Sequence, residues 1–310
     1  MKTVILGGGG FLGSHICEAL LQNNHDVTIF DLPSATYLEY CSKLGAKIIT
    51  GNFLESDRIQ KALDQGNVIY HLISTTVPKT SNEDPQYDIR TNVIGFLNIL
   101  KDEKLLKNKN FIFSSSGGTV YGIPNQVPIP ETHPTNPICS YGIHKLIIEK
   151  YLNLFNKLYD LDYCILRVGN AYGPRQPKAG PQGVIGTFLS KAIQDEEIVV
   201  WGDGSVIRDY TYVSDIAEAF VKAGEYQGKP KLFNIGSGKG HSINDILEMI
   251  LEIVDVPIKV KYVEGRFFDV PSNVLDISLA KTFLNWVPKT NLFNGIKQTY
   301  HYSNGQTNIN

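Results

Sequence analysis

Val4-Ile5-Leu6-Gly7-Gly8-Gly9-Gly10-Phe11-Leu12-Gly13 is the stretch that decides the fold. A short apolar run dissolves into glycines and resumes as an amphipathic segment, Phe11–Gln22. That order reads as strand, tight turn and helix. Gly7, Gly10 and Gly13 stand at the spacing G-x-x-G-x-x-G. In a dinucleotide-binding turn the first glycine permits the bend and the second lets backbone N–H groups approach a pyrophosphate. The third lets the helix pack closely on the strand. Phe11 and Leu12 open the helix, whose positive dipole end then faces the phosphates. Residues 27–30 read as the next strand, and Asp31 ends it. A carboxylate there accepts hydrogen bonds from both adenosine ribose hydroxyls and repels a 2′-phosphate. No arginine lies near it in sequence, so NAD is expected rather than NADP.

Outward from this unit, residues 47–49, 68–72, 110–114 and 163–167 read as strands. Residues 87–106 and 141–159 read as long helices. Strand-helix alternation predicts an α/β fold with a Rossmann-like, doubly wound parallel sheet. From Asn170 onward, Gly173-Pro174, Gly180-Pro181, Gly202 and Gly204 punctuate the chain. A smaller mixed α/β substrate-binding lobe is expected there. Residues 1–169 are thus assigned to an NAD-binding domain. Residues 170–310 are assigned mainly to a substrate domain, with some segments returning to the first. The polar residues 303–310 are expected to be disordered.

The chain has 310 residues, ample for a large buried core, and a formal net charge of −2. With no long basic run, neither nucleic acid nor an anionic membrane is indicated as a partner. No apolar stretch is long enough to span a bilayer, and no cleavage-site pattern follows the N-terminus. Cys17, Cys41, Cys139 and Cys164 form no close pair in sequence, so neither a zinc site nor a redox motif is indicated. A reduced cytoplasmic setting is the simple reading.

Tyr141-Gly142-Ile143-His144-Lys145 opens the strongest helical segment. Residues four apart share a helix face, which places Lys145 beside the Tyr141 ring. A free Tyr has a pKa of about 10; a base near neutrality needs it lowered by about three units, or about 4 kcal/mol. A cation about 5 Å away supplies roughly 3 kcal/mol at an effective dielectric of about 20. The positive nicotinamide ring would supply the rest, so the pair suffices for a phenolate base. His144 is expected on the helix surface.

Further motifs follow in order: His71-Leu72, Asn92-Val93-Ile94-Gly95, and Ser114-Ser115-Ser116-Gly117-Gly118-Thr119-Val120-Tyr121-Gly122. Then come residues 167–175, Gly202-Asp203-Gly204, Arg208-Asp209-Tyr210, Asn234-Ile235-Gly236-Ser237-Gly238, Arg266 with Asp269, and Leu284-Asn285-Trp286-Val287-Pro288. With the glycine turn and the Tyr141/Lys145 pair, the chain resembles the extended short-chain dehydrogenases/reductases. Within them it is similar to the NAD-dependent sugar-nucleotide epimerases and dehydratases, most of all to UDP-galactose 4-epimerases.

The resemblance implies that Tyr141 is the base and that Lys145 is its partner, which also holds the nicotinamide ribose. Ser116 matches the residue that hydrogen-bonds the reacting sugar hydroxyl. Ser115 is an alternative, because the Gly117-Gly118 stretch is one residue longer than in many relatives. Leu72 and Ile73 match residues along the adenosine and pyrophosphate path, Asn92 one near the nicotinamide, and Ser114 the strand end beneath it. Asn52-Phe53 stands where relatives carry Asp and an aliphatic residue; the Asn carbonyl can still accept from the adenine amino group. Arg208 and Arg266 match a diphosphate clamp, suited to arginine's planar fork. Asn170 matches a phosphate or sugar contact, Val184 and Trp201 contacts around the base, and Asp269 a ribose contact. Asn273, four residues on, matches the position that gates room at the sugar C2 substituent; its small side chain would admit N-acetylated sugars. Paired helices 87–106 and 141–159 imply a homodimer.

The implied activity is epimerisation at C4 of a UDP-sugar (glucose/galactose, with their N-acetylated forms) through a 4-keto intermediate. A UDP-uronate decarboxylase is the alternative. Related 4,6-dehydratases carry an Asp-Glu pair after the catalytic Ser/Thr; Gly117-Gly118 stands there instead. A non-catalytic NAD-binding scaffold is the remaining class.

Overall fold

The computed structural model describes residues 1–101, 108–177, 183–254, 257–265 and 270–305. Seven strands form one parallel sheet: β1 (Lys2–Leu6), β2 (Asp26–Asp31), β3 (Lys47–Thr50), β4 (Val68–His71), β5 (Asn110–Ser116), β6 (Asp162–Val168) and a later strand. In the second lobe come β7 (Asn170–Tyr172), β8 (Ile198–Trp201) and β9 (Ile207–Tyr212). The chain then returns to the large sheet as β10 (Leu232–Ile235). The sheet order is β10-β6-β5-β4-β1-β2-β3, with the reversal between β1 and β4 that leaves a crevice at the strands' C-terminal ends. Strands β1, β4 and β6 are buried on both faces, as a helix-covered parallel sheet requires. Helix Val213–Glu225 packs against helix Phe11–Gln22, so it too covers the large sheet. β11 (Gly240–Ser242), β12 (Val260–Val263) and β13 (Ser272–Asn273) complete the strands; β7, β11 and β13 all pair with β9, and β12 pairs with β8.

Three features differ from the sequence reading. The segment expected as one helix over residues 87–106 is broken. Helix Pro85–Asp88 passes into a π-helical turn, Ile89–Ile94, and then α-helix Gly95–Ile99; residues 102–107 lie outside the described residues. The cause is side-chain competition for carbonyls. Thr91 Oγ1 donates to the Tyr87 carbonyl at 2.8 Å and Asn92 Nδ2 to the Asp88 carbonyl at 3.0 Å. Each is the carbonyl four residues back, so the backbone ladder slips by one. Second, Cys17 and Cys41 are both free and buried yet meet in space, thiol against thiol. Third, Ser303 closes helix Leu292–Ser303, and residues 306–310 lie outside the described residues.

Candidate active site

The glycine turn has the shape of a pyrophosphate cradle. Gly7 has φ +88°, and a Cβ there would stand 3.0 Å from the Ile73 nitrogen. Gly10 is the N-cap, and no side chain satisfies the first amides of the helix; Ser14 N–H is bonded to the Gly10 carbonyl. The amides of Phe11, Leu12 and Gly13 therefore precede the helix's internal ladder and suit an anion. Asp31 Oδ2 accepts from Gly9 N–H at 2.9 Å and Oδ1 from Leu32 N–H at 2.8 Å. Burial pushes its carboxyl up, against those two bonds. Each oxygen keeps a lone pair for a ribose hydroxyl. These features fit a dinucleotide.

From the turn, a cleft of about 710 Å³ runs between the lobes. Its walls bring together Phe11, Leu12, Leu72, Ser114, Ser116, Tyr141, Lys145, Asn170, Val184, Trp201 and Arg208, residues drawn from the whole chain. Its size is that of a small-molecule or cofactor site.

Lys145 is 2% exposed. Its Nζ donates to the Ser114 carbonyl at 3.0 Å and lies 5.5 Å from the Tyr141 ring centroid. Burial lowers its pKa to about 8, against the opposing pull of Asp88 and Glu149. Tyr141 goes the other way: burial pushes its phenol up to about 12, only partly offset by hydrogen bonding from Ser74. Burial thus opposes the lowering that a general base needs, and the expectation already counts two cations toward it, Lys145 and the nicotinamide ring.

Ser115 and Ser116 both line the cleft and differ in hydrogen bonding. Ser115 is buried and its hydroxyl donates to Glu149, which also pairs with Arg167 at 2.6 Å. Ser116 stands at the last position of β5.

The remaining expected contacts lie as follows. Asn92 does not line the cleft; its amide donates to Thr75, Thr76 and Asp88 and its carbonyl accepts from Thr75 N–H. It shapes the loop beside the site instead. Phe53 stacks on His71 in the core, ring centroids 5.4 Å apart, and Asn52 Oδ1 accepts from Leu54 N–H. Asn273 is buried and donates to the Gly117 carbonyl at 3.1 Å, beneath the serine loop rather than in the cleft wall. Arg208 Nη1 donates to the carbonyls of Ile207 and Val270. Arg266 and Asp269 lie outside the described residues. His144, expected at the surface, is fully buried and bonded to Asp88. Sequence reasoning missed Ser74, Asp88 and Glu149; no local motif announces them, because their partners are distant in sequence.

A model of the NAD dependent epimerase/dehydratase family matches residues 3–236. The chain belongs to the NAD-dependent epimerase/dehydratase family. A putative UDP-glucose 4-epimerase of Methanocaldococcus jannaschii is 35% identical, with 96% of this chain and 97% of the relative covered. UDP-glucose 4-epimerase of Thermotoga maritima, solved with UDP-glucose, superposes with a TM-score of 0.92 at 35% identity, covering 99% of both chains. UDP-N-acetylglucosamine 4-epimerase of Methanobrevibacter ruminantium, solved with UDP-N-acetylmuramic acid, gives 0.90 at 30% identity and 99% coverage of both. In this epimerase family member no described helix is long and apolar enough to cross a membrane, and no described cluster could hold a metal ion.

Proposed function

We infer that this chain interconverts UDP-hexoses by NAD-dependent epimerisation at C4. The observation that carries the reading is the convergence of Ser116, Tyr141 and Lys145 in one cleft that begins at the dinucleotide turn and ends in the second lobe. NAD, when bound, supplies a reversible hydride acceptor and a positive charge. Gly7, Gly10, Gly13, Phe11 and Leu12 hold its pyrophosphate, Asp31 its adenosine ribose, and Leu72 and Ile73 its path over the strand ends. Lys145 holds the nicotinamide ribose. The Ser116 hydroxyl orients the sugar C4 hydroxyl. The Tyr141 oxygen takes that proton and returns it to the C4 oxygen after the 4-keto sugar has turned over in the cleft. Lys145 is cationic at neutral pH and favours the negative charge that develops on the phenol.

Arg208 grips the diphosphate, and Asn170, Val184 and Trp201 line the nucleotide end; Arg266 and Asp269 take their clamp and ribose roles from the resemblance alone. A depression lined by Trp201, Gly202, Ser205, Val206 and Pro271 opens beside Trp201 and suits the flat base. Dehydration lacks a machine here. Gly117 and Gly118 follow Ser116, so neither an acid nor a base stands at those two positions, and a Cβ at Gly118 would meet nothing nearer than the Ser116 hydroxyl at 3.9 Å. The open space at Gly118 supports N-acetylated hexoses as further substrates, with Asn273 acting through the Gly117 carbonyl. Exposed Tyr87, Ile94, Ile143 and Leu154 support a homodimer through these helices, and four free thiols support work in the reducing cytoplasm.

The direct test incubates purified enzyme, without added NAD, with UDP-glucose, UDP-galactose and their N-acetyl forms. Proton NMR should show C4 epimers at equilibrium. Loss of carbon dioxide from a UDP-uronate, with no epimer formed, would sink the reading in favour of decarboxylation. No turnover despite bound NAD would favour a scaffold. Asp31→Ala should lower NAD affinity about tenfold or more, read by copurified cofactor, because two ribose hydroxyls and Gly9 N–H lose their acceptor. Unchanged cofactor content would refute the ribose assignment.

A further inference from the structure

The Asp88 carboxylate is wholly buried and its two oxygens are fully engaged. Oδ1 accepts from His144 Nδ1 at 2.8 Å, from Asn92 Nδ2 at 3.0 Å and from Thr76 Oγ1; Oδ2 accepts from Ser140 Oγ at 2.7 Å. Ser140 and His144 flank Tyr141 in the first turn of helix Ser140–Tyr159. The carboxylate thus grips that turn on both sides of the phenol. The helix start is tied to the same region by Ser81 and Asn82, which accept from the N–H groups of Tyr141 and Ser140. The His144 ring then packs edge-on against the Tyr141 ring, centroids 5.0 Å apart.

We propose that Asp88 and His144 form a positioning pair: the carboxylate fixes the His144 ring, and the ring fixes the Tyr141 phenol. The proposal rests on the epimerase reading above. Asp88 accepts from Nδ1, so that nitrogen carries the proton; Nε2 is buried without a hydrogen-bond partner among the described residues. His144 is accordingly neutral: burial, then Lys145, push it down to about 4 against the pull of Asp88. Burial pushes the Asp88 carboxyl up, but bonds from Thr76, Ser140 and His144 outweigh it and hold it below the usual range. The charged and titratable groups facing the pair are Tyr141, Lys145 and Cys139 around Asp88, with Glu149 and His71 on the far side of Lys145. Asp88 and Glu149 are the two anions that support the lysine's charge, and Glu149 is shared with Arg167.

Two variants separate positioning from simple support of the fold. His144→Phe keeps a ring but removes the Nδ1 donor; His144→Asn keeps a donor near the same place. Phe should lower kcat about 10- to 100-fold with KM and bound NAD within about threefold, and Asn should recover most of it. Asp88→Asn keeps the shape and most bonds but removes the charge. Its kcat/KM should lose the alkaline limb at lower pH than wild type, by about half a unit or more, because a cation deprived of an anion deprotonates earlier. If His144→Phe does not fold, the Asp88→Asn profile decides alone. An unshifted alkaline limb in Asp88→Asn overturns the proposal, as does equal loss in both His144 variants. Tyr141→Phe in the same assay isolates the parent reading: if it stays active, the phenol's role fails rather than the pair's.

Discussion

Tyr141→Phe should lower kcat about 1,000-fold while leaving bound NAD and KM within a few-fold of wild type. General acid–base catalysis by a positioned side chain contributes about 10²- to 10⁴-fold, and no second phenol in the described cleft stands on Lys145. Tyr172 and Tyr210 also line the cleft, but Tyr172 donates to the Leu292 carbonyl and both phenols are pushed up by burial. The substitution removes one oxygen. It leaves the ring, its edge contact with His144 and the ammonium beneath it. Among the described residues the polar loss is a hydrogen bond with Ser74, a net contribution of about 1 kcal/mol, so thermal unfolding should barely move. The signature is therefore turnover lost with binding retained, which marks an interaction made in the transition state. A variant keeping more than a tenth of wild-type kcat would remove Tyr141 as the base.

The same phenol shows where sequence reasoning stops. Its spacing from Lys145 is local, because a helix turn alone brings residues four apart together. Its acidity is not local. It depends on burial, which packing with distant parts of the chain such as Ser74 sets and which pushes the phenol up. The glycine turn and Asp31 were legible for the same reason as the spacing: strand, turn, helix and strand follow one another within 31 residues. Asp88 and His144 are 56 positions apart and Ser115 and Glu149 34 apart. Each meets only when helix Ser140–Tyr159 lies against the sheet. No periodicity records such a meeting. The π-helical turn was hidden for another reason: Thr91 and Asn92 have ordinary positions in a helical pattern, and their hydroxyl and amide rewrite the ladder through side-chain bonds. In the second lobe, β7, β11 and β13 are two or three residues long, too short for alternation to show.

Gly13→Ala should abolish copurified NAD and turnover, whereas Gly10→Ala should fold normally and bind NAD more weakly. The two glycines open the same helix but meet different surroundings. A Cβ on Gly13 would lie 2.7 Å from Gly8 Cα and closer still to the Gly7 carbonyl oxygen. Both obstacles are backbone of the turn itself, so the helix must withdraw from β1 and carry its first amides with it. Overpacking of this kind costs about 1–3 kcal/mol in stability, read as a lowered unfolding temperature. The loss of the anion site should be larger, since three amides move together. A Cβ on Gly10 would meet nothing of the chain nearer than the Gly7 carbonyl at 3.6 Å, an ordinary contact. Any fall in NAD affinity there comes from the ligand's own phosphates, and a fall of about tenfold corresponds to about 1.4 kcal/mol. Unaltered unfolding temperature and cofactor content in Gly13→Ala would show that the helix does not need its close approach to the strand. Unaltered affinity in Gly10→Ala would move the pyrophosphate away from the N-terminal amides, and with it the cofactor's place above Lys145.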